Sequence, residues 1–510
     1  MPKPGDEMDL TIDTLAFGGE GIGRVTIHDK PFTVFVEETV PGDEVKVRLA
    51  KRKKNWGQGF VKALNKPSDL RIQPRCRHFG SIKNYKLPII NDGRTMSDSS
   101  SWSRSVTDPS KGCGGCAWQF LSYENQLLYK EKQVREAIKH IGGIDEQVVL
   151  PIIGMKDPWF YRNKMEFSFS RTREGEITLG LHMRGRHYDV TELTECFLLE
   201  PYAGEFVAGA REFFRAMDQE RKIDSSILLQ SLTLRVAKNT GETMVILSAE
   251  VGDSAHAPES AASTKKSGSL EIFLNEFQAW VTTFFATKKI PLTSLLFIEI
   301  LNKAGQRKTF TEKLLAGKAT IIEELRLGDG ASLQFQISPQ AFFQPNTFQA
   351  ETLYQKALEA AELTGSEVVY DLFCGTGTIG IFCSKQAQKV YGIELNPSSI
   401  DNARINAELN NIKNTEFFVG DVGKNLPRLP EKPDVIIVDP PRNGLEPKVV
   451  EQILKFAPRS IVYVSCNPST LARDLKLLCA EKYRLKSVQP VDMFPQTYHI
   501  ENVARLELIS

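Results

Sequence analysis

Residues 368–396 read VVYDLFCGTGTIGIFCSKQAQKVYGIELN: an apolar run, a glycine-rich turn, a helical stretch and a second apolar run. Near-continuous apolar runs are typical of parallel strands that are buried on both faces. Three more such runs follow, each after a helical stretch, namely TEFFVGD, DVIIVDPP and SIVYVSC. This alternation predicts a doubly wound, Rossmann-like α/β domain over residues 331–510.

The glycine-rich turn and the acidic residues after the predicted strands indicate a cofactor site. Glycines here let a ligand approach the backbone at the carboxyl ends of the strands. Glu394 follows the turn at the spacing where an acid meets ribose hydroxyls, and the next strands lead to Asp421 and Asp439. The turn alone would also suit a dinucleotide, but this spacing and the sequence DPPR at 439–442 favour S-adenosylmethionine. The loop lacks the lysine of a triphosphate site.

The last apolar run delivers a cysteine to the turn after a predicted strand, in VYVSCNPSTL at residues 462–471. A thiol at the carboxyl end of such a strand lies beside the cofactor site, where its thiolate can act as a nucleophile. A small thiol is also an ordinary core residue. From the residues alone, both interpretations of Cys466 remain open.

The first 65 residues contain short alternating segments that end at glycines and at the turn 41–43, which predicts a small β-barrel of the OB type. Residues 44–77 contain 11 Lys or Arg against 2 Asp or Glu, and their centre is the sequence KRKK at 51–54, here called the basic strip. Basic side chains next to aromatic ones suit a phosphate backbone with bases that can stack. The alternative is a solvated hairpin tip.

The middle region, residues 66–330, is predicted to be an α+β domain that holds a metal. Its cysteines form the pattern C…CxxC…C and are Cys76, Cys113, Cys116 and Cys196. The CxxC spacing lets two thiolates face one metal centre, and zinc and an iron–sulfur cluster both accept four thiolates. A redox pair is the alternative for CGGC, but no βαβ unit surrounds it. Two polar segments, 81–112 and 251–269, are predicted to be flexible insertions.

The composition, with 41% hydrophobic and 25% charged residues, is that of a soluble globular protein. No apolar run reaches the roughly 20 residues of a membrane span, and the start, MPKPGDEMDL, lacks the apolar core of a signal peptide. Eight cysteines are too few for a disulfide framework at this length. We therefore expect a cytoplasmic protein with no membrane partner.

These motifs resemble those of one family, the RNA uracil-C5 methyltransferases, which make 5-methyluridine in ribosomal and transfer RNA. The segments that resemble its catalytic domain are FFQPN, DLFCGTGTIG, IELNPSSIDNARINAELN, DPPRNGL, VSCNPSTLARDL and HIENVARLEL. The segments CRHFG, CGGCAWQFLSYENQLLYK and CFLLEP resemble its iron–sulfur region, although residues 81–112 separate the first two in this chain. The first 65 residues resemble the RNA-binding barrel called a TRAM domain.

The resemblance implies a role for each candidate residue. It makes Cys466 the nucleophile and Glu501 the base. It implies that the cofactor contacts are Gln344, Phe373, Glu394, Asp421 and Asp439, and that the ligands of a 4Fe–4S cluster, with zinc as the alternative occupant, are Cys76, Cys113, Cys116 and Cys196. The implied enzyme is a monomer that uses S-adenosylmethionine and modifies an RNA, with ribosomal RNA, 23S above all, preferred over transfer RNA.

Two other functions remain as alternatives. One is a cytosine-C5 or amino-group methyltransferase acting on nucleic acid. Amino-group enzymes need no cysteine, and their loop after the fourth strand usually ends in an aromatic residue where this chain has Arg442. The other is a non-catalytic RNA-binding protein with an iron–sulfur cluster, which would need neither Cys466 nor Glu501.

Overall fold

The computed structural model describes residues 2–27, 29–80, 112–186, 188–252, 263–302 and 308–509. The first predicted insertion, 81–112, lies outside the described residues apart from Gly112. Residues 253–262 of the second predicted insertion also lie outside them.

The N-terminal strands form a closed barrel in the order β1-β2-β3-β5-β4, as the sequence predicted. They are β1 Glu7–Leu15, β2 Gly21–Ile27, β3 Lys30–Val36, β4 Glu44–Arg52 and β5 Trp56–Lys66. In β4 every second residue is buried up to Leu49, because alternate side chains of a strand point into the barrel. The barrel has an apolar core of its own, formed by Leu10, Ile12, Phe32, Val34, Val36, Val45, Val47 and Leu49.

The middle of the chain forms a seven-stranded sheet in the order β12-β11-β10-β9-β6-β7-β8. Helix α1 (Tyr123–Ala137) precedes it, and its other elements are β6 Lys164–Arg171, β7 Ile177–His182, β8 Val190–Glu192, α2 Ala203–Gln219, β9 Ile227–Val236, β10 Thr243–Val251, α3 Ser263–Lys288, β11 Ser294–Leu301 and β12 Thr309–Gly317. Only β10 and β11 pair in parallel, and α3 is the crossover between them. The sheet, together with helices α2 and α3, makes this region α+β.

The ends of the predicted insertion 251–269 are regular structure. Val251 closes β10, and residues 263–269 are the first two turns of α3. The polar composition indicated a flexible loop, but the apolar residues that follow determine a helix that includes the end of this segment. Phe273, Phe277 and Val281 are buried at helical spacing, and the helix that they require extends back to Ser263.

The C-terminal part contains the predicted α/β sheet, in the order β17-β16-β15-β18-β19-β21-β20. A hairpin, β13 Ile321–Arg326 and β14 Ser332–Ile337, precedes it. The remaining elements are α4 Thr347–Ala361, β15 Val368–Leu372, α5 Thr378–Ser384, β16 Lys389–Glu394, α6 Pro397–Leu409, β17 Thr415–Val419, α7 Val422–Asn425, β18 Val435–Val438, α8 Pro447–Phe456, β19 Ser460–Ser465, α9 Pro468–Glu481, β20 Tyr483–Val491 and β21 Glu501–Leu508. Strands β15 to β19 are parallel, whereas β21 pairs antiparallel with both β19 and β20.

Helix α1 is packed into the core of this C-terminal sheet, although it precedes the middle sheet in sequence. Val134 of α1 and Ile138, the residue directly after the helix, are fully buried in the same apolar cluster as β18, β19 and α9. The Nζ atom of Lys130 donates to Asp492 at 2.6 Å, and neither side chain is exposed. A chain cut at the predicted boundary before residue 331 would therefore lose part of the apolar core of the C-terminal sheet. Within the described residues, no helix combines the length and the apolar character needed to cross a membrane.

Candidate active site and cysteine centre

The glycine-rich turn lies at the carboxyl end of β15, as predicted. Asp371 is fully buried and its Oδ2 accepts a 2.8 Å hydrogen bond from the Gly380 amide, while its Oδ1 has no hydrogen-bond partner. Burial raises the pKa of Asp371 to about 7. Phe373 has a φ of 64°, a strained backbone conformation for a bulky residue. The turn therefore presents an unsatisfied carboxyl oxygen and a strained residue at the edge of the sheet.

Glu394 is the last residue of β16, and Asp421 follows β17, the next strand along this edge. The two carboxylate oxygens of Glu394 accept from the amides of Gly375 at 3.3 Å and Asn396 at 2.8 Å, which ties the glycine-rich turn to the end of β16. The Asp421 carboxylate caps α7 by accepting from the Lys424 amide at 3.0 Å. Both predicted residues thus lie at the carboxyl edge, and both side chains also have a structural partner.

Gln344 approaches the same edge from the segment between β14 and α4. Gln344 is buried, and its backbone carbonyl accepts a 2.8 Å hydrogen bond from the side-chain amide of Asn163. This contact connects the middle sheet to the candidate cofactor site. The sequence did not indicate that connection.

Strand pairing brings Cys466 and Glu501 together. Ser465, the last residue of β19, is directly opposite Asn502 of β21, so the next residue of one strand faces the preceding residue of the other. The Asn502 side chain donates to the Ser465 carbonyl at 3.2 Å and fixes this register. Cys466 then lies in the turn before α9, half-buried. The nucleophile and the base implied by the resemblance are therefore neighbours across an antiparallel strand pair.

The electrostatics of this pair are dominated by burial. The pKa of the Cys466 thiol is raised to about 11, chiefly by burial and also by Glu501 and Asp439, while Arg442 opposes the increase. Glu501 is 5% exposed, and burial together with Asp439 raises its pKa well above the ordinary value. Burial also raises the pKa of Asp439 to about 7, with a contribution from Asp371. These carboxyl groups share one buried region, where they cannot all ionise at neutral pH without a compensating cation.

Tyr354 and Arg442 were not identified as functional residues of the site from the sequence, which indicated His499 only as a supporting residue near Glu501. Tyr354 of α4 is buried, and desolvation and Asp439 raise the pKa of its hydroxyl well above the ordinary value. Arg442 interacts electrostatically with both Cys466 and Glu501, and the side chains of Asn467 and Thr470 each donate to its carbonyl at 3.2 Å. The position of Arg442 directly after Pro440 and Pro441 was the sequence feature that could have indicated a role in the site. Burial lowers the pKa of His499 to about 4, so this imidazole is neutral at pH 7.

The four predicted metal-ligating cysteines line one small cavity beside β7. The Gln119 side chain connects two of them, because its oxygen accepts from the Cys76 amide at 3.0 Å and its amide lies 3.2 Å from Cys116 Sγ. The pKa of Cys76 is raised to about 12, chiefly by burial and also by the neighbouring Cys116 and Cys196. Among the described residues, no three of the four Sγ atoms lie within 4.8 Å of one another. The sequence did not indicate that His78 and Glu195 lie beside Cys76 with donor atoms inside that distance.

The basic strip lies at the exposed tip of the β4–β5 hairpin. All four side chains are exposed. Trp56, the first residue of β5, packs its ring edge-to-face against Phe35 at 5.7 Å. The strip is therefore a solvated hairpin tip with an aromatic pair beside it, a geometry that leaves it open to a polyanion.

Comparison with known proteins agrees with this architecture. Residues 3–62 match the model of the TRAM domain, residues 279–419 that of tRNA (uracil-5-)-methyltransferase, and residues 363–501 that of a methyltransferase domain.

Relatives match over nearly the whole chain. An uncharacterised RNA methyltransferase from Clostridium acetobutylicum is 34% identical over 514 aligned residues, covering 99% of this chain and 98% of the relative. Another from Protochlamydia amoebophila is 37% identical over 481 residues, covering 92% and 99%. The solved structure of Pyrococcus abyssi tRNA (uracil-54, C5)-methyltransferase in complex with S-adenosyl-L-homocysteine has a TM-score of 0.65 at 26% identity, covering 98% of this chain and 100% of that one. The chain therefore belongs to the RNA uracil-C5 methyltransferase family and is an S-adenosylmethionine-dependent RNA methyltransferase.

Proposed function

We propose that this enzyme methylates C5 of a uridine in RNA, with Cys466 as the nucleophile and Glu501 as the base. The observation that carries the proposal is the β19–β21 register, which sets Cys466 opposite Glu501 beside Asp439. A thiol and a carboxyl group at the carboxyl edge of a methyltransferase sheet are the two groups that C5 chemistry requires.

The reaction needs these groups because C5 of uracil is too weak a nucleophile to accept a methyl group unaided. Addition of the Cys466 thiolate to C6 gives an enolate whose C5 carries carbanion character. S-adenosylmethionine supplies the methyl group to that carbon. Glu501 then takes the C5 proton, and the electron pair of the C–H bond expels the Cys466 thiolate from C6. Arg442 favours the thiolate form of Cys466 throughout.

The residues around the glycine-rich turn fit a cationic nucleoside cofactor. The proposed contacts are Gln344, Phe373, Glu394, Asp421 and Asp439. The unpaired Oδ1 of Asp371 and the raised pKa values of Asp371 and Asp439 support a positively charged ligand, because a cation would relieve the repulsion within this acidic region. Glu394 stands at the end of β16, the usual place for an acid that accepts from ribose hydroxyls.

We further propose that the four cysteines hold a 4Fe–4S cluster with a structural role in the α+β middle region. The four cysteines line one small cavity, and Gln119 contacts both Cys76 and Cys116, which supports one shared centre. Zinc and a cluster both accept four thiolates, and the resemblance to the family's iron–sulfur region favours the cluster. The methyl transfer moves no electron between the enzyme and its substrates, so the cluster would shape the RNA-binding surface rather than react. Thiol ligands of this kind fit a reducing cytoplasm.

The proposed division of the chain is an RNA-binding barrel over residues 1–65, a cluster region over 66–330 and a catalytic region over 331–510, acting as a monomer; helix α1 and strand β13 precede residue 331 but pack with the catalytic region. The barrel and the basic strip would hold phosphates while the target base is unstacked and turned into the pocket. The proposed substrate is ribosomal RNA, 23S in the first place, and transfer RNA is the rival because the similar Pyrococcus abyssi enzyme is named for it.

The test uses total RNA from bacterial cells that lack the enzyme, with labelled S-adenosylmethionine, and maps the product by mass spectrometry. Methylation of a uridine at C5 is expected, and the labelled RNA species decides between ribosomal and transfer RNA. Methylcytidine or a methylated amino group as the product would refute the proposal. RNA containing 5-fluorouridine should trap wild-type enzyme covalently, because fluorine cannot leave as a cation.

Two variants separate the proposed roles. Cys466→Ala should form no adduct and transfer no methyl group, whereas Cys479→Ala, another half-buried cysteine, should behave as wild type. Glu501→Gln should form the adduct, transfer one methyl group and stall as a methylated covalent complex. Turnover by Cys466→Ala would refute the nucleophile assignment. Loss of the adduct in Glu501→Gln would move the base elsewhere, with His499 as the next residue to examine.

A further inference from the structure

A cavity of about 480 Å³ lies between the barrel, the CGGC loop, the residues after β7 and the segment before β21. It is separate from the cavity of the four cysteines, although Gly115, Cys116 and Leu181 line both. It is also separate from the cofactor turn, since no residue of 371–380 lines it. We call it the interdomain cavity.

The walls of the interdomain cavity are fixed by direct contacts between the parts of the chain. The indole nitrogen of Trp118 donates to the Gly19 carbonyl at 3.1 Å, and the Gln133 side chain donates to the carbonyls of Leu15 and Ala16 at 3.3 and 3.1 Å. Gly19 has a φ of 95°, and a Cβ there would lie 2.9 Å from the Tyr498 ring. Only glycine allows this approach. The cavity is therefore a preformed pocket and does not depend on a loose contact between domains.

The chemistry of the lining combines an aromatic ring with carboxylate acceptors. Tyr498 lines one side, and its ring is supported by His499, with 4.3 Å between the ring centroids. Glu37 and Glu38 line the side formed by the barrel. Arg184 is held in the wall, because it donates to the Cys116 carbonyl and pairs with Glu38 at 3.6 Å. An aromatic face and hydrogen-bonding groups on one pocket are the means by which proteins bind an unstacked RNA base.

The carboxylates determine which bases fit. A carboxylate accepts hydrogen bonds and donates none when ionised, so it pairs with the amino group of cytosine, adenine or guanine. Uracil offers one N–H group flanked by two carbonyl oxygens, which a carboxylate repels. The interdomain cavity therefore suits a different base from the target uridine. Tyr498 precedes Glu501 by three residues in sequence, which brings the cavity close to the site of methyl transfer.

We propose that the interdomain cavity binds a second, unstacked base of the substrate RNA, one that carries an exocyclic amino group and lies a few nucleotides from the target uridine. The base stacks on Tyr498 and its amino group donates to Glu37. This rests on the RNA methyltransferase function. It makes the barrel part of the sequence selection, whereas the basic strip contributes only to phosphate binding.

The first test is Glu37→Gln, which keeps the size of an exposed side chain and removes its charge. Removing a negative charge from an RNA-binding protein ordinarily strengthens phosphate binding. The proposal requires the opposite, a rise in KM for RNA on the order of tenfold with kcat and S-adenosylmethionine affinity unchanged. Glu7→Gln removes the same charge from an exposed position of the same barrel and should leave KM unchanged or lower it. Equal KM values for the two variants would overturn the proposal.

The second test leaves the protein intact and changes the RNA. Once the modified uridine is mapped, each neighbouring guanosine, adenosine or cytidine is replaced in turn by an analogue that lacks the amino group. One position should raise KM for wild-type enzyme on the order of tenfold, and the same analogue should have no further effect on Glu37→Gln. If no position couples to Glu37, the pocket assignment is refuted. Wild-type methylation of the unchanged RNA confirms in the same experiment that the proposed function itself stands.

Discussion

Replacing Lys130 with methionine should destabilise the catalytic core, although Lys130 lies in the sequence between the barrel and the middle sheet. Its ammonium group is fully buried and contacts Asp492 Oδ1 at 2.6 Å and the Phe494 carbonyl at 3.1 Å. Methionine retains the length of the side chain and removes its charge. The Asp492 carboxylate would then be buried without its cation.

The size of the effect follows from the remaining partners of Asp492. Removing one member of a buried ion pair ordinarily costs about 3–5 kcal/mol. Asp492 would keep the Tyr123 hydroxyl at 2.9 Å and the Phe494 amide at 3.1 Å, so the lower end, about 3 kcal/mol, is expected. That is about a hundredfold in the opening equilibrium. The loop after Asp492 leads to Glu501, so kcat should fall together with stability.

Hydrogen exchange measured by mass spectrometry is the suitable assay, because a chain with several cores does not unfold in one step. Protection of α1 and β20 should fall by about a hundredfold, whereas the barrel should be unchanged. Lys132→Met is the matched control on the same helix, since Lys132 pairs with Glu136 at the surface and such pairs contribute about 0–1 kcal/mol. The double change Lys130→Met with Asp492→Leu should recover more than half of the loss. Equal protection in Lys130→Met and Lys132→Met would refute the reasoning.

Three other predictions concern the cofactors, the RNA and pH. Protein purified without oxygen should be brown with about four irons per chain, and Cys113→Ser should lose them; stoichiometric zinc without iron would refute the cluster. Replacing the basic strip with alanines should weaken RNA binding and flatten the slope of log affinity against log salt by up to about 3, with kcat at saturating RNA unchanged. Because the pKa of Cys466 is raised to about 11, the thiolate fraction increases as pH rises towards that value. Adduct formation with 5-fluorouridine RNA in the absence of cofactor should increase about tenfold per pH unit between about pH 7 and 9, and a flat profile would contradict the burial of the thiol.

The features that the sequence predicted well are local ones. The β15 strand, the glycine-rich turn and the cysteine after β19 are specified by a few adjacent residues, so their pattern was sufficient. The closed barrel followed from alternation and glycine turns for the same reason. Glu501 was different, because only the family resemblance indicated it; the residue begins an antiparallel strand, and its contact with Cys466 depends on strand register.

The features that the sequence did not reveal are contacts between distant segments. Helix α1 was predicted as a helix, but nothing in its pattern indicates that it packs against β18 and α9. Tyr354 is one aromatic residue on an amphipathic helix, and its proximity to Asp439 exists only in the folded chain. Helix α2 was not predicted, because strand-like runs on both sides of it dominate the pattern of residues 160–250. In each case tertiary packing decided what local propensity could not.

The contact between Lys130 and Asp492 also bears on how the protein is made. The two residues are 362 positions apart, and a ribosome that adds about 5–20 residues per second needs about 20–70 s to synthesise that length. During this time the barrel can close, since all its strands have been made, but the apolar face of α1 has no partner. The nascent chain therefore carries a finished RNA-binding domain beside an uncovered helix. Slow translation lengthens that exposure and makes this helix the first place where a chaperone would be needed.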